Sequence, residues 1–286
     1  MEYVTTPQRL GETELPDGRL MGWAEWGPED GIPVLLVPGA ATSRLLGVGA
    51  GVPERVGVRI VAVDRPGLGA STPLPGRTFA DFADDVRQLM QRRGLGRPPV
   101  IGSSQGAPFV LACAAAGITG PVAIVSGADE VALPAFAEAL PPHLRSLVDM
   151  VATDPDAAEA GFAGLDADAM LKLVHDASPA SDLGVYTSPD FHAAYRAAMD
   201  DAFRQGPAGY ARDTVLAMGR WPFDLAAIRV PVQLWYGEED TSHSPDHGAT
   251  LASRIPTATR RLVPGIGGAV LWTHTEPILS ELLMVV

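Results

Sequence analysis

The chain has almost no cysteine: Cys113 is the only one among 286 residues, so an intrachain disulfide is excluded. A chain without disulfides is compatible with a reducing compartment. Cys113 lies in an apolar run of leucine and alanine, which is typical of a packed side chain rather than a reactive thiol. The N-terminus lacks a basic region followed by an apolar stretch, so we expect no signal peptide and take a cytoplasmic location as the default.

Long apolar runs and basic residues are also scarce. No run approaches the ~18 apolar residues of a membrane helix without a charge, glycine or proline. The 21 lysines and arginines face 34 aspartates and glutamates, which gives a net charge of −13. Because an acidic surface repels nucleic acids and anionic membranes, we expect neither as a partner. We expect a small-molecule substrate, and the oligomeric state stays open with a homodimer as one candidate.

Motifs for metals and nucleotides are lacking as well. No cluster of histidine, cysteine and carboxylate residues has metal-ligand spacing, so we predict no metal. The glycines at 67 and 69 lack the third glycine that a dinucleotide-binding turn requires, and no cofactor is predicted.

The sequence does contain short apolar runs that alternate with helical patterns. The helical patterns cover 78–94, 107–116 and 276–283. Predicted buried strands cover residues 33–37, 58–63, 99–101, 121–125, 230–236 and 260–263. This alternation predicts an α/β fold with a mostly parallel sheet and helices on both faces.

The stretch 131–220 interrupts the alternation and contains no strand pattern. It reads as an α-helical cap inserted into a core formed by residues 1–130 and 221–286. Within it we predict short helices at 134–140, 144–151, 169–175 and 191–203, and a mobile loop in the Ala/Asp-rich stretch 152–169.

Residues 102–106 read Gly-Ser-Ser-Gln-Gly and fit the pattern G-x-S-x-G around Ser104. In this pattern a sharp strand-to-helix turn lifts one serine hydroxyl above the sheet, and small flanking residues let the backbone pass close by. The pentapeptide follows a predicted strand and opens a predicted buried helix. This context favours a nucleophile elbow at Ser104 over a plain turn.

Together with this elbow, several other segments make the chain resemble the α/β-hydrolase superfamily, in particular capped members similar to prolyl aminopeptidases and esterases. The resemblance covers nearly the whole chain. The matching segments, in order, are 17–19, 37–44, 64–71, 235–240 and 262–268.

The resemblance implies a role for several residues. Ser104 would attack a carbonyl carbon, and the backbone N–H groups of Gln105 and Ala40 would hold the resulting oxyanion. Asp240 would orient and stabilise a histidine. Asp129 follows another strand end, where some members place their acid, and is the alternative for that role.

Two positions depart from the family pattern. Pro38 replaces the histidine of the family's His-Gly loop, which keeps the backbone donor of Ala40. Gly268 stands where the family carries its catalytic histidine, and glycine cannot take or return the serine proton. Loss of this histidine in another serine hydrolase costs about 10⁶ in turnover. A ring-sized gap is therefore expected beside Ser104.

Four explanations of Gly268 stay open. First, it is an introduced His→Gly change that inactivates the enzyme or traps its substrate. Second, the pocket performs lyase, isomerase or cyclase chemistry. Third, the protein is a ligand-binding pseudoenzyme, and fourth, a histidine elsewhere in the chain takes over the role. His243 and His247 follow Asp240, whereas His274 reaches the site only if its loop is rebuilt. The insertion contributes His143, His175 and His192, for which surface positions are favoured.

The expected function is that of a serine hydrolase of the α/β-hydrolase fold. Its insertion carries many apolar and aromatic residues, some of which should line the pocket. The substrate would be a mid-sized, fairly hydrophobic molecule with an ester, lactone, thioester or amide carbonyl. A helical cap also implies gating of access.

Overall fold

A computed structural model describes residues 2–284 and contains one eight-stranded sheet with the order β1-β2-β4-β3-β5-β6-β7-β8. The strands are β1 (Arg9–Glu14), β2 (Leu20–Trp26), β3 (Ile32–Val37), β4 (Val58–Val63), β5 (Val100–Ser103), β6 (Val122–Val125), β7 (Val232–Gly237) and β8 (Ala258–Val263). Strands β4, β3, β5, β6, β7 and β8 are parallel, whereas β2 pairs antiparallel with β1 and β4. The predicted α/β fold with a mostly parallel sheet is confirmed.

The burial of the strands follows their place in the sheet. The central strands β5, β6 and β7 are buried at every position, as expected where helices cover both faces. The outer strands β1 and β8 carry exposed charged residues instead. Charged side chains on an edge strand oppose pairing with another chain.

In the part of the chain that the structure describes, twelve α-helices surround the sheet. They are α1 (Val52–Val56), α2 (Phe79–Arg93), α3 (Gly106–Ala115), α4 (Pro142–Thr153), α5 (Pro155–Ala160), α6 (Ala167–Ala177), α7 (Ala180–Tyr186), α8 (Pro189–Ala202), α9 (Ala208–Met218), α10 (Ala249–Arg254), α11 (Val270–Thr273) and α12 (Thr275–Leu283). Within residues 2–284, none of the helices has the length and apolarity that a bilayer span requires.

Helix α2 shows how local sequence sets the helix ends. Thr78 accepts a hydrogen bond from the backbone N–H of Asp81, whose side chain accepts one in return from the Thr78 backbone. This reciprocal cap satisfies two donors that the first turn leaves free. The helix ends at Gly94, which adopts φ 64°, a left-handed conformation that glycine accepts without strain.

Helices α4–α9 lie between β6 and β7 and form one helical insertion. The segment predicted as a helix at 134–140 contains only a 3₁₀ turn, Pro134–Phe136. The stretch 152–169, predicted as a mobile loop, instead contains helix α5. Asp154 caps this helix by accepting a hydrogen bond from the Ala157 N–H at 3.0 Å. That prediction was wrong because a six-residue helix shows too little apolar periodicity to be recognised.

Candidate active site

Ser104 stands on the turn between β5 and α3 with φ 50°, one of four non-glycine residues in the left-handed region among residues 2–284. Its N–H donates to the Val125 carbonyl at 3.1 Å, and its carbonyl accepts from Ala107 at 3.0 Å and Ala128 at 2.9 Å. These hydrogen bonds hold the strained conformation in place. Such strain is concentrated at functional sites and is expected at a nucleophile elbow.

The glycines around Ser104 are required by close backbone approach. A Cβ on Gly106 would lie 2.3 Å from the Val37 carbonyl oxygen, so only glycine lets α3 begin this close to β3. A Cβ on Gly39 would lie 3.1 Å from the Ser104 Cβ and 3.5 Å from its Oγ. The loop that follows β3 therefore lies directly against the serine.

Two backbone amides near Ser104 have no acceptor. Within residues 2–284, neither the Ala40 N–H nor the Gln105 N–H donates a hydrogen bond to the protein. Ala40 lies in the loop after β3, and Gln105 is the N-cap residue of α3. Free amides on these two loops are the arrangement that an oxyanion hole requires.

Arg65 braces the loop that carries Ala40. Its guanidinium is fully buried and donates to the carbonyl oxygens of Pro38 and Gly39, the latter at 2.9 Å. Its Nε lies 2.6 Å from Oδ2 of Asp213, a buried residue of α9 that also pairs with Arg77. Arg65 thus ties the loop beside Ser104 to the helical insertion.

Asp240 follows β7 and is only 2% exposed. Its Oδ1 accepts from the backbone N–H groups of Ser242 at 3.0 Å and His243 at 3.3 Å. The ring Nδ1 of His243 lies 2.9 Å from both Oδ1 and Oδ2 of the same carboxylate. An acid and a histidine three residues apart therefore form a direct pair.

The charges of this pair stabilise each other. Burial alone would raise the pKa of Asp240, but the charge of His243 and its hydrogen bond outweigh burial and hold that pKa below its usual value. Burial alone would lower the pKa of His243, but the charge and hydrogen bond of Asp240, together with the charge of Asp182, raise it. Each member of the pair therefore favours the charged form of the other.

Gly268 lies beside the His243 ring. A Cβ at position 268 would be 2.7 Å from Cε1 of His243, 3.3 Å from its Nδ1 and 3.5 Å from the Tyr186 hydroxyl. The space that a side chain at position 268 would need is therefore occupied by the ring of His243.

The backbone around Gly268 is held by a carboxylate from the insertion. Asp182 of α7 accepts from the N–H groups of Gly267 at 2.9 Å, Gly268 at 2.6 Å and Ala269 at 3.2 Å. Burial raises the pKa of Asp182 although these three donors oppose the rise. Asp182 thus connects the insertion to the loop after β8.

These residues share one cavity of about 260 Å³ between the sheet and the helical insertion. Its polar lining includes Ser104, Asp182, Asp240 and His243, and its aromatic lining comprises Tyr186, Tyr195, Tyr210 and Trp272. Ala40 and Gly268 also line it, whereas Gln105 adjoins it through the backbone of Ser104. None of the described side chains around this cavity is a lysine or an arginine.

Of the site residues proposed from the sequence, Ser104, Asp240, Gly268 and Ala40 line this cavity, whereas Gln105 does not. The structure adds Asp182 from α7, which no sequence pattern had indicated, and it places Tyr186, one of the aromatic residues of the insertion from which the pocket lining was expected, beside it. His243 was one of several histidines considered for relocation. Its spacing of three residues from Asp240, within the loop that follows a strand end, is the signal that singles it out.

The other candidates lie elsewhere. Asp129 accepts from the Ser244 hydroxyl at 2.9 Å rather than from a histidine. His247 Nε2 lies 2.9 Å from the Asp240 carbonyl oxygen, and His274 Nδ1 lies 2.9 Å from the Thr273 hydroxyl. Neither of these two histidines lines the cavity, and the same holds for the three histidines of the insertion, His143, His175 and His192. Within residues 2–284 no group of histidine, cysteine and carboxylate side chains converges as metal ligands do.

Comparisons with known proteins agree with this architecture. Residues 32–275 match the family model described as "alpha/beta hydrolase fold". A proline iminopeptidase of Neisseria meningitidis is 31% identical over 124 residues, which cover 40% of this chain and 38% of that protein.

Solved structures show the same fold over nearly the whole chain. A bromoperoxidase from Bacillus anthracis has a TM-score of 0.70 at 19% identity and covers 96% of this chain and 100% of its own. An enol-lactonase from Burkholderia xenovorans LB400 has a TM-score of 0.68 at 18% identity, with the same coverage of both chains.

Proposed function

Because the chain belongs to the α/β-hydrolase family, we propose that it is a serine hydrolase in which Ser104 attacks the carbonyl of a small, uncharged, largely apolar ester or lactone. The observation that carries the proposal is the strained φ of 50° at Ser104, on a turn that borders the cavity shared with Ala40 and Asp240. A serine held in this conformation at the start of a helix presents its hydroxyl to a bound carbonyl.

The chemistry follows from the groups around Ser104. Its Oγ forms a bond to the carbonyl carbon while the carbonyl π electrons move to the oxygen. The N–H groups of Ala40 and Gln105, which have no protein acceptor in the described chain, donate to that oxyanion. Collapse of the intermediate expels the alcohol and leaves an acyl group on Ser104, which water then removes.

The lining of the cavity supports an uncharged substrate. Four aromatic rings and several aliphatic side chains surround the serine, so that apolar acyl groups gain from burial. The acidic groups beside them are Asp182 and Asp240, which repel a carboxylate, and the described lining contains no lysine or arginine to bind one. The cavity of about 260 Å³ favours short acyl groups over long ones.

A panel of p-nitrophenyl esters tests the proposal. We expect hydrolysis of acetate to hexanoate esters and little hydrolysis of succinate half-esters, which carry a carboxylate. A fluorophosphonate probe should add one label per chain, on Ser104. S104A should abolish both activities, and S146A, which removes an exposed serine of α4, should retain both.

Other outcomes would support the alternatives. Activity on a cognate substrate that survives in S104A would indicate lyase, isomerase or cyclase chemistry in the same cavity. A ligand that copurifies with the protein and stays chemically unchanged, without labelling of Ser104, would indicate a binding protein.

A further inference from the structure

We propose that His243 is the general base of this site and replaces the histidine that the family carries at position 268. The inference rests on the proposed function, because it assigns the group that takes the proton from Ser104. It explains how a chain with Gly268 retains a complete catalytic set, and it makes position 268 a native feature of that set.

The first support is the hydrogen bonding of the ring. His243 Nδ1 lies 2.9 Å from both carboxylate oxygens of Asp240, so that Nδ1 carries the hydrogen in the neutral imidazole. Nε2 is then the nitrogen with the free lone pair, and within residues 2–284 it makes no hydrogen bond. This is the tautomer that a general base requires when an acid orients it.

The second support is that the backbone on both sides of the ring is held. The His243 N–H donates to Asp240 Oδ1 at 3.3 Å, and the His243 carbonyl accepts from the Asp129 N–H at 3.1 Å. The next residue, Ser244, donates its hydroxyl to Asp129 Oδ2 at 2.9 Å. The segment that carries His243 is therefore fixed to the ends of β6 and β7, as a catalytic group must be.

The third support is the reason for glycine at 268. Gly268 does not have a positive φ, so its backbone conformation does not demand glycine. Space does, because a Cβ there would lie 2.7 Å from Cε1 of His243. A side chain at 268 and the observed position of the His243 ring exclude each other. We therefore infer that His243 takes the place beside Asp240 that the family's histidine occupies from position 268.

The proton balance is complete with these residues. As the Ser104 Oγ bonds to the carbonyl carbon, its proton moves to His243 Nε2, and Asp240 stabilises the imidazolium. The proton then passes to the leaving alkoxide as the ester C–O bond breaks. In the second half, Nε2 takes a proton from water as its oxygen attacks the acyl carbon, and returns it to Ser104.

Both Ser104 and His243 border the cavity, although no hydrogen bond joins their side chains in the described residues. Such a bond commonly tightens only when substrate fills the site. The titratable groups whose charges act on the His243 ring are Asp240 and Asp182. The Tyr186 hydroxyl lies near the same point, 3.5 Å from a Cβ built at position 268.

The experiment compares variants on a p-nitrophenyl ester. H243A and H243Q should each lower kcat by about 10⁴-fold or more with little change in KM. H243Q keeps a side chain that can donate to Asp240 and controls for folding. H143A and H274A remove histidines that neither line the cavity nor contact Asp240, and they should keep kcat within about threefold of the wild type.

Two rescues separate catalysis from structure. Free imidazole should raise the rate of H243G in a saturable manner and leave H243Q unchanged, because only the glycine variant has space for the ring. The double variant H243A/G268H should exceed H243A in kcat by about tenfold or more, since it returns a histidine to the family's position.

The failures are distinguishable. If S104A is inactive but H243A and H243Q both keep kcat within about threefold of the wild type, the base lies elsewhere and this inference is overturned while the proposed function stands. If S104A remains active, the proposed function fails and the role of His243 toward that serine fails with it. Loss of activity in H243G without any imidazole rescue, in a protein that melts normally, would also overturn the inference.

Discussion

The His243 ring and the backbone of Gly268 are in such close contact that the ring leaves no space for a side chain at position 268. A Cβ there would be 2.7 Å from the ring Cε1, well inside van der Waals contact. The ring is also held from the opposite side by Asp240, at 2.9 Å from both carboxylate oxygens. This relationship leads to the first prediction.

G268A should lower both stability and activity. The added methyl group must displace His243 from Asp240 or shift the loop that Asp182 holds, at a cost of about 1–3 kcal/mol. We expect a lower free energy of unfolding in urea and a fall in kcat. G265A is a poor control because Gly265 has φ 70°, whereas G164A has open space and ordinary φ. An unchanged kcat in G268A would show that His243 can move without consequence.

The pH dependence of kcat/KM should follow His243. The pKa of His243 is raised by Asp240 and Asp182, and the base acts in its neutral form. Activity should therefore increase with pH through a midpoint above 6.5, the usual value for histidine. The free energy of unfolding should change with pH in the opposite direction. The stabilisation from the His243–Asp240 pair is fully present below the unfolded-state pKa of His243 and is lost as pH rises through its folded-state pKa.

D240N tests the cause of this shift. Removing the carboxylate charge should move the midpoint of any residual activity toward lower pH and lower kcat by about 10⁴-fold, because the ring loses its orientation and charge partner. A midpoint that stays in place in D240N would show that another group titrates. The measurement is a pH–rate profile of wild type and variant at the same ionic strength.

R65K should loosen the loop after β3 that carries the Ala40 amide, while keeping the positive charge at position 65. A lysine cannot donate to the Pro38 and Gly39 carbonyls and to Asp213 at once, so the Ala40 amide loses its orientation. We expect a fall in kcat of about 10- to 100-fold with a smaller change in KM. R87K, which alters an exposed ion pair on α2, is the matched control. Equal kinetics in both variants would contradict a positioning role for Arg65.

D129N should separate a structural acid from the catalytic one. Burial raises the pKa of Asp129 to about 6. An acid with a raised folded-state pKa binds its proton more tightly when folded, so stability falls as pH rises from the unfolded value toward 6. This difference amounts to about 3 kcal/mol at most. D129N should therefore lose less stability than wild type between pH 4 and pH 7.

D129N should also keep most of its activity, in contrast to D240N. Urea unfolding at the two pH values and a kcat measurement at neutral pH check both statements. A D129N variant as inactive as D240N would make Asp129 the catalytic acid instead.

Much of the fold could be predicted from the sequence because its strong signals are local. The buried strands β3–β7 are short apolar runs between turn residues, and α2 has both a capping threonine and a terminal glycine. The turn at Ser104 was predictable because the pentapeptide places glycine on both sides of the serine, and at 106 a Cβ would lie 2.3 Å from the Val37 carbonyl oxygen. Helices α5 and α7 were not predictable, since six or seven residues carry too little periodicity.

The sequence by itself determined the α/β fold and the absence of a histidine at 268, and it predicted Ser104 as nucleophile and Asp240 as acid, because each of these depends on neighbours within a few residues. Only the tertiary structure decided what fills the space at 268. The His243 ring, the Gly268 backbone and the Asp182 carboxylate come from three separate segments, and their contacts depend on how the ends of β7 and β8 meet the helical insertion. Contacts between segments that lie far apart in the chain produce no pattern of residue types along the sequence, so the sequence alone could not predict them.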